Sequence, residues 1–344
     1  MVRIPLPKTV RRLVSVLVLA AVVEYLVLPQ VAGARKAVHL VSQANPFYAA
    51  AGVVVEVASL VAYSLLTRSL LPPHRPPLHV IFRINLATLS VSHVVPGGTA
   101  AGTSLGYRLF TASGMDRADT GFALATQGLG SAVVLNIMLW LGLLVSIPLR
   151  GFNPVYLIAA ILGVLLFAFF AALIIALTRG EDRAIGVLRA VARRIPRLSP
   201  DTVEAQVRRL ADRLHSLASD RLLLRRAVGW AAANWLLDAA SLWLFVAAFG
   251  HRVDLDGLLV AYGLANVLAA IPITPGGLGV VEGVLIPSLT GFGTARGVAV
   301  LGVLAWRLVN FWLPIPSGAG AYLTLKVGPG GLLRPEELGL AGPQ

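Results

Sequence analysis

The sequence predicts an all-α polytopic membrane protein with about six full spans, two re-entrant or broken helical hairpins and an inverted internal repeat. Of its 344 residues, 57% are hydrophobic and only 13% are charged, whereas about a quarter of the residues in soluble domains are charged. The mean hydropathy is +0.79. Six apolar stretches are long enough to cross a bilayer, and two further apolar zones are each interrupted by a Pro-Gly-Gly tripeptide.

The six apolar stretches are expected to be full spans, because each is long enough for an α-helix to cross about 30 Å of hydrocarbon. They run at residues 12–31, 47–71, 119–148, 153–177, 226–249 and 296–325. The first stretch follows Arg11-Arg12 and resembles a signal peptide, with Val31-Ala32-Gly33-Ala34 as its small-residue cleavage site. Glu24 inside the apolar run favours an uncleaved span instead.

The two interrupted zones, 79–112 and 257–292, are each expected to form a hairpin that enters and leaves on one side of the membrane. Proline removes a backbone donor and glycine tolerates positive φ, so Pro-Gly-Gly breaks a helix. The two tripeptides, Pro96-Gly97-Gly98 and Pro275-Gly276-Gly277, lie 179 residues apart. They therefore indicate one unit that occurs twice, and interrupted apolar repeats are a pointer to a transporter's binding site.

Lysine and arginine near the span ends predict the orientation. The N-terminus, the loop after the second span and the segment 179–226 are basic, and this segment has twelve arginines against six acidic residues. Placing all three in the cytoplasm, together with the C-terminus, makes repeat 1 (47–148) begin outside and repeat 2 (226–325) begin inside. The chain is thus predicted to be a single membrane domain, 1–344, with inverted repeats in the cytoplasmic membrane.

The segment 179–226 is predicted to be a basic cytoplasmic linker with an amphipathic helix. Ser199-Pro200 suits a helix start, and the apolar stripe that follows consists of Val203, Val207, Leu210, Leu214 and Leu217. Two interpretations stay open. The helix either recruits anionic lipid at the inner surface or is a solvated connector that follows the positive-inside rule.

Composition argues against several classes of function. The chain has no cysteine, and its six histidines lack metal-ligand spacing, so we expect no metal and no cofactor. The net charge of +13 is carried almost wholly by arginine without a nucleic-acid-binding motif, so no nucleic-acid partner is expected. Nucleophile-elbow, Walker A and Rossmann patterns are also missing from the sequence.

Ionisable residues inside the apolar runs are the candidate substrate-binding residues, because such residues are costly there and usually face a cavity or a partner. The candidates are Glu24, Glu56, Arg108, Asp238, Glu282 and Arg307, with His93, Asn85, Asn136, Asn234, Asn266 and Asn310 as polar companions. A phosphate favours arginine, and a cationic headgroup needs a carboxylate. Glu56 and Asp238 occupy matched positions at an offset of 182. The alternative is that they form structural ion pairs, with Arg108 and Arg307 as partners.

The two tripeptides are candidate binding elements themselves. Short helices beginning near Thr99 and Leu278 would point their positive N-terminal ends at an anion such as a lipid phosphate. The alternative is a turn between two spans. Tryptophans, by contrast, are interpreted as packing or interfacial residues: Trp230, Trp235, Trp243, Trp306 and Trp312.

The stretch from Leu268 to Gly283, followed by Gly293 and Arg307, resembles the Pro-Gly-Gly-x-Gly-x-x-Glu motif and downstream arginine of the lysylphosphatidylglycerol synthase transmembrane-region family. This family is also called the flippase-like domain family. The first half matches more loosely, since Thr99-Ala100-Ala101-Gly102 stands where many members carry Gly-Glu. The resemblance implies movement of headgroup-modified lipids across the cytoplasmic membrane, here without the synthase domain to which this domain is often fused.

The leading hypothesis is therefore a transporter rather than an enzyme: a flippase for an anionic or headgroup-modified lipid, aminoacylated or glycosylated, with membrane phospholipid as its ligand. The alternative is an intramembrane transferase, or an accessory subunit of a lipid-modifying synthase, with Glu282 or Asp238 as a base. A third hypothesis is a structural protein that anchors a separately encoded lipid-modifying enzyme through the basic linker.

Overall fold

The computed structural model describes residues 44–95, 98–151, 154–178, 220–270 and 274–327. These ranges contain α-helices and no strand, which confirms the all-α prediction. The helices are α1 Pro46–Leu70, α2 Leu78–Val94, α3 Gly98–Ala112, α4 Arg117–Arg150, α5 Pro154–Thr178, α6 Arg221–Ala248, α7 Leu255–Ala269, α8 Val280–Gly291, α9 Arg296–Arg307 and α10 Pro314–Val327. A 3₁₀ turn, Pro275–Gly277, precedes α8, and a π-helical turn, Leu308–Trp312, joins α9 to α10.

Four helical segments in the described ranges are long and apolar enough to cross a membrane: Pro46–Leu70, Arg117–Leu149, Arg221–Ala248 and Arg296–Leu325. They coincide with four of the predicted spans, so the chain is a multi-pass membrane protein. Helix α5 covers the predicted span 153–177. The predicted first span, 12–31, and the amphipathic stripe of the linker lie outside the described residues.

Side chains that cap the helices fix where three of the long helices begin. The Asn45 side chain accepts from the Phe47 N–H of α1, and the Asp116 side chain accepts from two N–H groups of α4. Asp220 does the same for α6, which starts at Arg221. The sequence placed the start of this span at 226, because Arg221, Arg225 and Arg226 delay the apolar run; the cap starts the helix before them.

The last predicted span, 296–325, is not one regular helix. The chain leaves the α-helical pattern after Arg307, and the Leu313 N–H bonds the Leu308 carbonyl five residues back at 2.9 Å. Pro314 then begins α10, where its missing N–H does no harm. A π-turn inserts extra backbone into a helix and often marks a functional site.

Each of the two interrupted zones consists of two antiparallel arms. In the first zone, α3 lies so close to α2 that a Cβ at Gly98 would be 1.8 Å from the Ser92 carbonyl oxygen, and one at Gly102 would be 2.7 Å from that of Thr88. In the second zone, a Cβ at Gly257 would be 2.8 Å from Phe292. Small residues thus bring α2 against α3 and α7 against α8.

Helices α1 and α6, the first helices of the two predicted repeats, form the most extensive helix pair. They are antiparallel, and two hydrogen bonds mirror each other: Ser59 Oγ donates to the Asn234 carbonyl oxygen and Ser241 Oγ donates to the Gly52 carbonyl oxygen, both at 3.0 Å. The offset of 182 pairs Ser59 with Ser241 and Gly52 with Asn234. Two reciprocal hydrogen bonds between antiparallel helices are what an inverted repeat predicts. The repeat itself and its inversion across the membrane stay predictions.

The other large contacts also join one half to the other. Helix α2 packs against α10, where Ser90 Oγ donates to the Ile315 carbonyl oxygen at 2.8 Å. Helix α7 packs against α4, where Ser146 Oγ donates to Asp256 Oδ2 at 2.9 Å. The first arm of each interrupted zone therefore packs against the closing helix of the other half.

The apolar side chains form two separate clusters, one toward each end of the long helices. The first core includes Leu66, Ile81, Phe110, Val134 and Ala231. The second core includes Leu139, Leu242, Tyr262, Leu285 and Trp306. Helices α4 and α6 run through both cores.

Arginines gather at the end of the molecule that holds the first core. Arg75, in the loop between α1 and α2, donates to the carbonyl oxygens of Arg68 and Leu71 at 3.0 and 3.2 Å. Burial, and then the charges of Arg68 and Arg226, lower the pKa of Arg75. The end of α1 and the start of α6 therefore lie on the same side, as the predicted cytoplasmic orientation of both requires.

Candidate functional site

A cavity of about 420 Å³ lies between helices of the two sequence halves. Helices α1, α2 and α4 contribute to its wall from one half, and α6, α7, α9 and the 3₁₀ and π turns contribute from the other. Its ionisable and amide lining consists of Glu56, Tyr63, Asn85, His93, Gln127, Asn234, Asp238, Asn266, Arg307 and Asn310. Polar groups at this density inside an apolar bundle are typical of a functional site.

Asp238 of α6 is held by three hydrogen-bond donors. Tyr262 Oη donates to Oδ2 at 2.6 Å. Trp306 Nε1 and Asn310 Nδ2 donate to Oδ1 at 2.9 and 3.1 Å. The donors come from α7, α9 and the π turn, so one carboxylate ties four segments together and all its contacts suit the charged form.

Glu56 of α1 lies beside Asp238 with fewer partners. Its side chain is 2% exposed, and Asn310 Nδ2 donates to Oε1 at 3.0 Å. The same amide nitrogen contacts Asp238, so the two carboxyl groups are neighbours. Glu56 Oε2 is buried without a hydrogen-bond partner. Glu56 and Asp238, which occupy matched positions in the two halves of the sequence, are thus neighbours in the cavity wall.

Arg307 forms its ion pair with Glu282, through Nε and Oε1. Glu282 Oε2 accepts from the Gly279 N–H at 2.6 Å, which caps α8, and Arg307 Nη2 donates to the Gly276 carbonyl oxygen at 3.3 Å. The alternative in which Arg307 is the ion-pair partner of Glu56 or Asp238 is therefore wrong, while its role in substrate binding stays a prediction. Because Glu282 is the third residue of α8, its carboxylate turns back toward the helix start and meets Arg307 there.

The second tripeptide forms part of the cavity wall. Gly276 and Gly277 have φ of 55° and 67°, a region that glycine adopts most readily. Pro275 opens this turn, and Gly276 faces His93 of α2 and Phe311 of the π turn. The His93 and Phe311 rings stack with centroids 4.4 Å apart, and His93 Nδ1 donates to the Phe311 carbonyl oxygen at 3.0 Å.

Replacing Gly276 with alanine is expected to lower the thermal stability of the detergent-solubilised protein. A Cβ there would lie 2.5 Å from Phe311 and 2.9 Å from His93, on a backbone of positive φ. Strain of this kind costs roughly 1–3 kcal/mol before the clash is counted. The matched control is Gly279→Ala, where φ is also positive (81°) but nothing lies within 4 Å. Equal melting temperatures for the two variants would contradict the close packing at Gly276.

The remaining predicted site residues divide into two groups. Asn266 lines the cavity, and its Nδ2 donates to the Tyr262 carbonyl oxygen at 3.0 Å. Gly98 is buried against Ser92 at the start of α3, while Pro96 and Gly97 lie outside the described residues. The Arg108 side chain is exposed on α3 and is not among the residues that line the cavity. The alternative in which Arg108 pairs with Glu56 or Asp238 is therefore wrong, while its role in substrate binding stays a prediction.

Two residues of the site were not recognised in the sequence. Trp306 was interpreted as a packing or interfacial residue, and Tyr262 was not singled out, yet both donate to Asp238. One feature of the sequence could have identified Trp306 as a site residue. Trp306 and Arg307 lie about one helical turn before Asn310, so the three side chains lie near one another on the same helix face. Tyr262 likewise lies one turn before Asn266.

The charges in the cavity favour a cationic group. Arg307 is already paired with Glu282, so Glu56 and Asp238 are the acidic groups left facing the space. Among the described residues, no group of three His, Cys, Asp or Glu side chains could hold a metal ion. The protein thus has the features of an all-α multi-pass membrane protein with a buried polar cavity between its halves.

Comparison with known proteins places this chain in a family. It belongs to the family described as the lysylphosphatidylglycerol synthase TM region, which matches residues 12–318; the resemblance in the motif is thereby confirmed. The chain is 23% identical over 321 residues to a UPF0104 membrane protein of Methanothermobacter thermautotrophicus, covering 89% of this chain and 94% of that protein. It is 30% identical over 95 residues to the inner membrane protein YbhN of Escherichia coli, covering 28% and 29% respectively.

Proposed function

We propose that this protein is a flippase-like transporter that moves an anionic or headgroup-modified phospholipid, aminoacylated or glycosylated, across the cytoplasmic membrane. The observation that carries the proposal is the cavity between helices of both halves, whose wall contains the buried carboxyl groups of Glu56 and Asp238. Ionisable groups are costly at such a depth and usually serve a substrate or ion pathway. The family membership supports a membrane function of this kind.

The chemistry of the cavity favours aminoacylated lipids among these substrates. The amine of an aminoacyl headgroup is a cation, for which two neighbouring carboxylates are suitable partners. Its phosphate would find a hydrogen-bond donor in Gln127 Nε2, which lines the cavity and is buried without a hydrogen-bond partner. A headgroup with only negative charge would meet Glu56 and Asp238 without a compensating cation.

The arrangement also favours alternating access. The first arm of each interrupted zone packs against the closing helix of the other half, so tilting one half against the other would expose the cavity to one face and then to the opposite face. Both termini are proposed to be cytoplasmic. A separately encoded lipid-modifying enzyme remains a proposed partner, which would supply the substrate at the inner leaflet.

The proposal is tested by reconstituting the purified full-length chain in phosphatidylcholine vesicles. Lysyl-phosphatidylglycerol, phosphatidylglycerol and a glycosylated lipid, each with an acyl-chain fluorophore, are placed in both leaflets, and an impermeant quencher measures transfer to the outer leaflet. We expect transfer of lysyl-phosphatidylglycerol to exceed that of phosphatidylglycerol, and protein-free vesicles to give the background rate. Background rates for all three lipids would contradict the proposal, and chemical conversion of a lipid would favour a transferase.

A further inference from the structure

The second carboxylate oxygen of Glu56 is one of two atoms that are buried without a hydrogen-bond partner among the described residues of the cavity wall, and Gln127 Nε2 is the other. Glu56 is 2% exposed, it lines the cavity, and its Oε2 has no hydrogen-bond partner. An unpartnered buried acceptor destabilises the protein, and more so if it is charged. We therefore expect the Oε2 atom of Glu56 to bind a proton or a ligand that the neighbouring side chains do not provide.

Neighbouring side chains do not neutralise the carboxyl pair. The titratable groups that face it are Tyr262 from α7, His93 from α2, Tyr63 from α1 and Arg307 from α9. Helix α4 contributes the neutral Gln127 and Ser131 to the same space. Arg307 is the one permanent cation among these groups, and it is bound to Glu282 of α8 and to the Gly276 carbonyl oxygen.

The two carboxyl groups therefore have unequal surroundings. Asp238 accepts from three donors, which stabilises its anion, whereas Glu56 accepts from Asn310 at Oε1 and has no hydrogen-bond partner at Oε2. Two adjacent carboxylates in a site of low polarity do not both stay ionised, and they titrate as a pair. A proton on Glu56 Oε2 removes one of the two charges and turns the orphan acceptor into a donor.

We propose that Glu56 and Asp238 hold one proton between them and release it when a cationic headgroup occupies the cavity, so that the protein is a proton antiporter. The inference rests on the proposed function. The exchange balances: one ammonium charge enters the pair, one proton leaves to the water at the open face, and no bond other than the O–H bond is broken. After the lipid departs at the opposite face, a proton from that side returns to Glu56.

Infrared spectroscopy tests the proton directly and without any lipid substrate. The full-length protein in phosphatidylcholine vesicles is titrated while the C=O band of protonated carboxyl groups is followed. We expect a band that persists after the exposed carboxyl groups have ionised and that is missing in Glu56→Gln. Asp254→Asn removes an exposed carboxyl group and is expected to leave the band unchanged. Absence of a persisting band in the wild type would overturn the proposal, whatever lipid is moved.

Lysyl-phosphatidylglycerol is then added to the protein in weakly buffered detergent with a pH indicator. We expect about one proton to be released for each lipid bound, as linkage requires, and none on addition of phosphatidylglycerol. Binding without proton release would overturn antiport and leave the proposed lipid transfer intact. Failure of every lipid to bind or move would overturn lipid transfer and antiport together, and the infrared band would still report whether Glu56 carries a proton.

Discussion

Replacing Arg307 with alanine is expected to abolish lipid transfer and to destabilise the protein by roughly 3–5 kcal/mol, the usual effect of removing one partner of a buried ion pair. The Arg307 side chain is 4% exposed and that of Glu282 is 15% exposed. Without the guanidinium, the Glu282 carboxylate loses its cation and the Gly276 carbonyl oxygen loses its donor. The turn that forms the cavity wall then loses its link to α9.

Three further variants separate folding from function. Arg296→Ala removes an exposed arginine from the start of the same helix and is expected to retain both transfer and stability. Glu282→Gln removes the other charge of the pair and is expected to abolish transfer as well. The double variant Arg307→Ala/Glu282→Gln leaves no unpaired charge, so it should recover part of the thermal stability but no transfer. Normal transfer by Arg307→Ala would exclude this arginine from the transport site.

Replacing Asp238 with leucine is expected to prevent stable folding. The change leaves Tyr262 Oη, Trp306 Nε1 and Asn310 Nδ2 without their acceptor, at roughly 1–3 kcal/mol for each buried donor. The loss is read as the yield of monodisperse protein in detergent and as its melting temperature.

Asp238→Asn is the matched variant, because an amide oxygen can still accept from Trp306 and Asn310 while the amide nitrogen donates to the Tyr262 hydroxyl. We expect it to fold and to bind lysyl-phosphatidylglycerol at least tenfold more weakly, which corresponds to about 1.4 kcal/mol. Equal stability of the leucine and asparagine variants would contradict the hydrogen-bond arrangement around Asp238. Unchanged lipid affinity of the asparagine variant would contradict a charge role for this residue.

Apolar periods and helix-breaking residues predicted most of the helical architecture. The spans at 47–71 and 119–148 agree with α1 and α4 to within a few residues, since a long apolar run leaves few alternatives to a helix in a membrane. The start of α6 was placed too late because three arginines precede the apolar run, and the Asp220 cap could be weighed only with the backbone in place. The π turn depends on packing around Phe311 and could not be predicted from composition.

The candidate site was predicted in part. The offset that matched Glu56 to Asp238 identified two residues that share one amide nitrogen in the structure. Partner choice could not be predicted, because a single sequence holds no distances: Arg108 and Arg307 look alike in an apolar run, yet one is exposed and the other is bound to Glu282. Trp306 was missed because a buried indole and an interfacial indole have the same sequence context.

The division of the apolar side chains into two cores has a consequence for electrical insulation. Along α1, α4 and α6, the residues that line the cavity lie between segments that belong to the core around Leu66 and Phe110 and to the core around Leu242 and Leu285. An ion that crosses the bundle along its length would have to pass both apolar clusters. We therefore expect a cell to tolerate many copies of this protein without loss of its membrane potential, because each molecule has two apolar barriers to ions in series.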